Sequence, residues 1–438
     1  MTNELHLDEF RILDVKKNED GSMLYLVEPD NEETECINCG SINTVCNGTL
    51  TRYVRDLPSF GHSVALMVKQ HRYLCRDCGK TCIHGLQSVE GSGRITLRLK
   101  EQVKMEVLNS TFSAVAVKYG ISVTCAKKIF DEYVEDEKKR WVKYSPEVLG
   151  IDEAHLCNHM RGVFVDVLNR GLIELLPGRD KSSVTEFLKS LPEHHKIKIV
   201  TMDMWRPYRD AVHDILPASL IVIDKFHVIK EVNNSLEAFR KEFQRTLSKQ
   251  RRISLKNSRW LMLHNAEDLD EGQKHRLEQL FSVYPELSAP YHLKESFRDI
   301  YCSGDRYIAE EKFEMWCESI PDELSTFHAV KETVRNWHKE IFNYFDYPYT
   351  NAVTESINNL IKFIEKAGRG YTFEVIRAKM LFGTKATKKP IYRPKPKRNE
   401  GSIYYATFDS FICHNEVEIG STVSIAELTE FLTVHDNS

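Results

Sequence analysis

The sequence predicts a mixed α/β fold: a sheet domain interrupted by a long all-helical insertion, with a metal-binding module and a helical hairpin ahead of it. Three observations predict it. Short apolar runs between Glu147 and Asp224 read first as consecutive strands and then as alternating strand and helix, the pattern of a mixed sheet. After Phe226 amphipathic helical periodicity continues for more than a hundred residues with no strand candidate. Near the N-terminus two Cys-x-x-Cys-Gly repeats stand on either side of a β-rich run.

Composition sets the frame for these elements. The chain has 438 residues, 42% hydrophobic and 28% charged, enough apolar material for two or three packed domains. It lacks an uncharged apolar run of about 18 residues, and MTNELHLDEF lacks the basic and apolar regions of a secretory signal. The expectation is a cytoplasmic protein with no membrane partner. Its 11 cysteines are an odd number, and four form two close pairs, which favours metal ligands over disulfides. The net charge of -4 hides an uneven distribution. RKEFQRTLSKQRRISLKNSRW, from Arg240 to Trp260, carries eight Lys or Arg against one Glu, and TKKPIYRPKPKR near the C-terminus carries cations and no acid. Such blocks can neutralise phosphates, although each also reads as a solvated helix face or a disordered basic tail.

Residues 1–94 form the expected zinc module. Cys36-Ile-Asn-Cys39-Gly40 and Cys75-Arg-Asp-Cys78-Gly79 are two knuckles of one design. Four thiolates suit one structural, tetrahedral Zn2+, and each Gly permits the tight turn behind its pair. The run SVALMVKQHRYL, Ser63 to Leu74, reads as a strand, and the 35 residues between the pairs leave room for a hairpin. Cys46, Cys82, His62, His71 and His84 lie near in sequence. They are expected to be structural, because the two knuckles complete a closed site.

Residues 95–143 are expected to hold a helix-turn-helix. In TFSAVAVKYGISVTCAKKIF, Ala114, Val115 and Val117 would form the inner face of one helix, Gly120 the turn, Ser122 the next cap, and Ala126, Ile129 and Phe130 the return packing. Val123 to Tyr133 would then be a recognition helix exposing Thr124, Lys127 and Lys128 to double-stranded DNA. A generic helical hairpin is the alternative.

The sheet domain is expected over 144–230, the helical insertion over 231–344, the closing helices over 345–384, and a basic linker and tail over 385–438. Asp152 follows Val-Leu-Gly-Ile and Asp203 follows Ile-Val-Thr-Met, both strand-like. Glu355 lies in a segment that scans as a helix, with Val353, Ile357, Leu360, Ile361 and Ile364 on one face and Glu355, Asn359, Lys362 and Lys366 on the other. One Asp at a strand end reads as a turn residue, but three carboxylates in strand, strand and helix contexts can share a metal pair. Hard oxygen ligands suit Mg2+ or Mn2+, and two such ions support in-line phosphoryl transfer. Lys362 and Lys366 would face the DNA.

GIDEAH, VTMDMWRPYRDAV, VIDKFHVIKEVN and NAVTESINNLIKFIEKAGRGYTFEVIRAKMLF resemble the catalytic landmarks of DDE transposases of the ISL-three insertion-sequence family, and the cysteine pairs resemble that family's N-terminal zinc finger. The resemblance runs from about Cys36 to Phe382. It implies an RNase H-like catalytic fold with a helical insertion between the fifth strand and the Glu-bearing helix, and an acidic triad of Asp152, Asp203 and Glu355. It also implies binding to the terminal inverted repeats of an insertion sequence, two-metal cleavage and strand transfer, and a bacterial, nucleoid-associated protein. Pairing two element ends makes a homodimer the default. A DNA-binding regulator without chemistry and a metal-dependent nuclease are the competing readings. Asp224-Lys-Phe-His227 resembles the Asp-x-x-His signature of several DDE transposase groups. The two side chains share a helix face and can hydrogen-bond. His227 would then contact the scissile phosphate or a flanking base without ligating metal; alternatively Asp224 caps the helix and His227 only packs.

Overall fold

The computed structural model describes residues 5–30, 34–256 and 258–383, and the basic linker and tail expected over 385–438 lie outside them. The first sheet contains β1 (Phe10–Lys17), β2 (Met23–Pro29), β3 (Thr44–Ser59), β4 (His62–Cys75) and the short β5 (Thr81–Cys82). Its order is β1-β2-β4-β3, with β5 paired to β4. β3 and β4 form the expected antiparallel hairpin, turning at Phe60-Gly61, both of positive φ. The β1–β2 hairpin was not anticipated. β2 runs parallel to β4, and Tyr25, Val27, Val54, Leu66 and Val68 fill the core between strands.

Three helices follow: α1 (Leu97–Val107), α2 (Phe112–Tyr119) and α3 (Val123–Arg140). Thr96 caps α1 and its hydroxyl also donates to buried Asp56 of β3, at 2.7 Å. That bond ties the sheet to the helices. Gly120, at φ +61°, makes the turn between α2 and α3, and Ser122 Oγ accepts from Cys125 N at 3.0 Å. Ala126, Ile129 and Phe130 face inward as expected. The inner face of α2 differs: Phe112, Val115, Ala116 and Tyr119 are buried, whereas Val117 is 84% exposed and Ala114 is exposed. The buried set keeps the 3- and 4-residue spacing of one helix face, which Ala114 and Val117 leave.

The second sheet is built from β6 (Val148–Leu156), β7 (His159–Asp166), β8 (Gly171–Leu175), β9 (Ile199–Met202) and β10 (Leu220–Ile223), with α4 (Lys181–Ser190) before β9 and α5 (Arg206–Ile215) between β9 and β10. The order is β10-β9-β6-β7-β8: an antiparallel β6-β7-β8 meander, with β9 parallel to β6 and β10 parallel to β9. Strand alternation sorts the two faces. Leu149, Ile151, Val200, Met202, Ile221 and Ile223 point into the core containing α4 and α5. Gly150, Asp152, Thr201 and Asp203 therefore share the other face.

From β10 to residue 346 the described residues form helices only: α6 (Lys225–Thr246), α7 (Lys249–Lys256), α8 (Arg259–Leu263), α9 (Glu271–Val283), α10 (Ser288–Ile300), α11 (Arg306–Glu318), α12 (Ser325–Asn336) and α13 (His338–Asp346), with short 3-10 turns between some of them. The periodic run from His328 to Phe345 breaks at Trp337 into α12 and α13. This region extends the α4–α5 core through Val228, Val232, Phe313, Trp316 and Phe342. Among the described residues no helix is long and apolar enough to cross a membrane.

The chain returns to the sheet with α14 (Ala352–Gly368) and α15 (Phe373–Phe382). α15 also completes the three-helix core with Val375, Ala378, Leu381 and Phe382. Its Lys379 is buried, and the ammonium donates to the carbonyls of Val107, Leu108 and Ser110 while lying 5.0 Å from the Phe112 ring centroid. The Val107 and Leu108 carbonyls close α1 and that of Ser110 stands in the turn before α2, so none has a helical partner of its own. Lys379→Met keeps the apolar stem and removes their donor. It should cost about 2 kcal/mol or more, read as a lower Tm in a thermal melt.

Candidate active site and cysteine cluster

The four cysteines converge where β3 begins and β4 ends. Cys36 Sγ is 3.7 Å from Cys78 Sγ, Cys39 Sγ is 3.6 Å from Cys75 Sγ, and all four sulfurs lie within 4.8 Å of one another. Four sulfurs at about 2.3 Å from one zinc have tetrahedral edges of about 3.8 Å, so the cluster fits that ion. Each knuckle turns on a glycine of positive φ, Gly40 at +71° and Gly79 at +70°. Gly40 N and Gly79 N donate to the carbonyls of Cys36 and Cys75. Asp77 links the knuckles by accepting from Ser41 Oγ at 2.5 Å and Asn43 Nδ2 at 2.8 Å. Backbone N–H groups lower the Cys36 thiol, to about 6, and the Cys75 thiol. At Cys39 and Cys78 such groups are outweighed by burial and the neighbouring sulfurs, which raise both thiols, so two of the four are biased toward the thiolate a metal binds. Cys46, Cys82, His62, His71 and His84 stand outside this set.

The carboxylates meet at the other sheet. Gly150 pairs with Thr201, so two residues further along Asp152 comes beside Asp203; Met202 pairs with Ile223, so Asp203 comes beside Asp224. Three acids from adjacent strands thus form a row, and the start of α14 crosses it. Asp152 is buried; its Oδ1 accepts from Glu153 N and its Oδ2 from Asn358 Nδ2, both at 2.7 Å. Burial, then the charge of Asp203, pushes Asp152 up to about 7. Asp203 Oδ1 is 3.4 Å from Asn351 Nδ2 and its Oδ2 is 2.8 Å from His227 Nε2. Glu355 stands in the first turn of α14 on its exposed side. Partial burial and the charges of Asp224 and Asp203 raise it, against His227.

Asp224 caps α6, accepting from Phe226 N at 3.3 Å. His227 does not hydrogen-bond it: Nδ1 is 3.6 Å from Asp224 Oδ2, beyond hydrogen-bond range. The imidazole turns to Asp203 instead. Burial lowers its pKa, but the bond to Asp203 and the charges of Asp203 and Asp224 outweigh that and carry it up to about 10. His227 therefore balances part of the negative charge in the row. Among the described residues only the cysteines gather three or more ligand atoms within 4.8 Å of one another. Asp152, Asp203 and Glu355 share one corner without that degree of convergence. Such an excess of oxygen ligands is what a divalent cation stabilises.

Several residues of this corner escaped sequence reasoning. Asn351, Thr354 and Asn358 lie at intervals of three and four on the buried face of α14. Thr354 Oγ1 and Thr201 Oγ1 donate to Asn351 Oδ1 at 3.1 and 3.2 Å. Their signal was a polar stripe on a face expected to be apolar. Buried Thr354, Ile357, Asn358 and Ile361 form the actual inner stripe, while Leu360 is 49% exposed. Leu360 lies about 120° round from the centre of that stripe at 3.6 residues per turn. Thr124, Lys127 and Lys128 are exposed on α3, where Lys127 pairs with Asp131 at 2.6 Å. Lys362 and Lys366 are exposed on α14. The two groups thus belong to separate helices, one in the three-helix unit and one on the sheet.

Comparison with known proteins identifies the family and the zinc-finger segment. Residues 149–380 match a family described as transposase, and residues 32–78 match the zinc-finger of transposase IS204/IS1001/IS1096/IS1165. The chain is similar to the transposase for insertion sequence element IS1001 of Bordetella parapertussis, 27% identical over 347 residues that cover 77% of this chain and 85% of that one. It is also similar to the transposase for insertion sequence element IS1557 of Mycobacterium tuberculosis, 24% identical over 252 residues, 51% of this chain and 56% of that one.

Purified protein should carry one zinc per chain by elemental analysis. Cys36→Ser should lose most of it and lower the melting temperature of the first sheet, because binding energy at a structural zinc is folding energy. Full zinc retention in that variant would remove Cys36 from the site.

Proposed function

The chain belongs to the ISL3 family of transposases, and from that premise we propose that it binds the terminal inverted repeats of an insertion sequence and cuts and rejoins their phosphodiesters at Asp152, Asp203 and Glu355. The observation that carries this reading is the acid row: strand register sets Asp152 beside Asp203, and the helix bearing Glu355 starts across them. The sheet order β10-β9-β6-β7-β8 supports an RNase H-like catalytic domain. On this reading the first sheet is the zinc module, α1–α3 the helix-turn-helix, and α6–α13 an insertion between the fifth strand and the Glu helix.

Two Mg2+ or Mn2+ ions, when bound, supply Lewis-acid stabilisation of the attacking and leaving oxygens. Asp152, Asp203 and Glu355 would hold them. Asn358 orients Asp152 through its bond to Oδ2, and Asn351 does the same for Asp203 from the start of α14. His227 brings a proton to the same corner and would contact the scissile phosphate or a flanking base without being a metal ligand. Water attack frees a 3'-hydroxyl, which then attacks the target strand. Thr124, Lys127 and Lys128 would read or hold the repeat, and Lys362 and Lys366 would steady phosphates beside the reaction centre. Two ends must be paired, which favours a homodimer.

The test uses a supercoiled donor plasmid carrying the element ends. Asp152→Asn, Asp203→Asn and Glu355→Gln should each reduce magnesium-dependent nicking and strand transfer to background while gel-shift binding of the ends persists. Wild-type rates in any of the three would remove that residue from the site. Asn358→Ala should cost about 10- to 100-fold in rate, the range for losing a group that orients a metal ligand.

His227→Ala should keep its melting temperature and its affinity for the ends but lose most cleavage. Parallel losses of melting temperature and nicking would instead assign His227 to packing alone.

A further inference from the structure

Trp260 is 64% exposed in the helical region, an unusual position for the largest side chain. Beside it lies a cleft of about 480 Å³ between α8 and α9, within the range of small-ligand sites. Trp260, Leu280 and Tyr284 give it apolar walls, and His264, Arg276 and Gln279 give it polar ones. None of its lining residues is a carboxylate. Arg259 lies over the Trp260 ring, 4.8 Å from its centroid, and is held in place 3.2 Å from Glu237. The segment that leads in sequence to α8 is cationic at its surface: Lys241, Arg245, Lys249, Arg251 and Arg252 are all exposed, with Glu242 the one acid among them.

An exposed indole, a cleft without acids and a cationic approach are together the features that hold single-stranded nucleic acid. Every base offers a face for stacking, while Lys and Arg follow the phosphates. Gln279, Arg276 and His264 add donors for a base edge or phosphate oxygen. We infer that this cleft takes one unpaired nucleotide of the DNA, its base stacked on Trp260 and its neighbouring phosphates on the exposed cations Lys241, Arg245, Lys249, Arg251 and Arg252. The inference rests on the DNA reading above but assigns a second site, remote in sequence from the acid row.

The test separates base from phosphate and binding from chemistry. Full-length protein without added magnesium is titrated with fluorescent oligothymidylate of about 20 nucleotides, longer than the ~4–16-nucleotide footprint of a typical strand-binding module. A strand of equal length built of abasic residues serves as the phosphate-only probe. Wild type should prefer the thymidylate by about five-fold or more, the lower end for one base–aromatic stack. Trp260→Ala should erase that preference while leaving abasic binding and melting temperature unchanged, and Trp260→Phe should keep most of it. The inference is overturned by absence of the preference in wild type, by its survival in Trp260→Ala, or by equal loss of both probes. A change of molecular mass in Trp260→Ala by light scattering would overturn it too, by making the cleft a contact between chains. Magnesium-dependent nicking of the donor plasmid by wild type is a separate measurement, so the transposase reading can stand if this site falls.

Discussion

The seating of α14 on the second sheet is the constraint on which the acid corner depends. A Cβ on Gly150 would stand 2.5 Å from Thr354 Oγ1, so the helix can approach this closely only over a strand that carries no side chain at that point. The approach buries Asn351, Thr354, Asn358 and Thr201, and buried polar groups are costly unless they are bonded. They bond one another and the strands: Asn351 Nδ2 reaches Ile151 O at 3.4 Å, while Thr201 and Thr354 donate to its oxygen. The amide nitrogens of Asn351 and Asn358 are then directed at Asp203 and Asp152. The bonds that fix the helix also orient the carboxylates.

Between Asp224 and Asn351 the chain leaves the sheet through eight helices among the described residues, and closing so long an excursion has an entropic cost that grows slowly with its length. Its return is fixed at the α12–α13 break and again within α13. Arg209 of α5 donates to Asn336 O at 3.0 Å, and its guanidinium lies 4.1 Å from the Trp337 ring centroid. Asn343 Nδ2 donates to Ile221 O of β10 at 2.8 Å. With these contacts, the excursion shares the core behind β9 and β10 and delivers Asn351 to the face of Asp203. Its length therefore need not loosen the acid corner.

Local signals explain what was legible in the sequence. The cysteine knuckles, the Gly120 turn, the Ser122 cap and the apolar runs of β6, β9 and β10 are each encoded within a few residues, and each occurs where its pattern predicts. The failures share a different cause. Asn351, Thr354 and Asn358 are buried because Thr201, Ile151 and Asp152 receive them, partners about 150 to 200 residues away. No helical periodicity marks such partners. His227 stays within 3.6 Å of Asp224, the partner its spacing allows, but the strand register supplies the closer Asp203 at 2.8 Å. Lys379 likewise depends on a distant partner: the end of α1 and the turn after it give its ammonium three acceptors.

The same contacts connect the three-helix unit to the acid corner. α14 and α15 are separated only by Arg369–Thr372, with Arg369 and Gly370 at positive φ to turn the chain sharply. Tyr371 within that turn accepts from Phe112 N at the start of α2, at 3.1 Å, and Lys379 binds the end of α1. On its other side α15 is fixed to the sheet by Arg377, which bonds both oxygens of buried Glu174 in β8, at 2.7 and 2.6 Å. A bidentate guanidinium–carboxylate pair resists rotation as well as separation. α15 is thus a bracket between α1–α3 and the sheet, one short turn from the helix that bears Glu355. On the proposed function, DNA held by α3 would have to reach Asp152 across this bracket, which joins the two places through packed helices and hydrogen bonds.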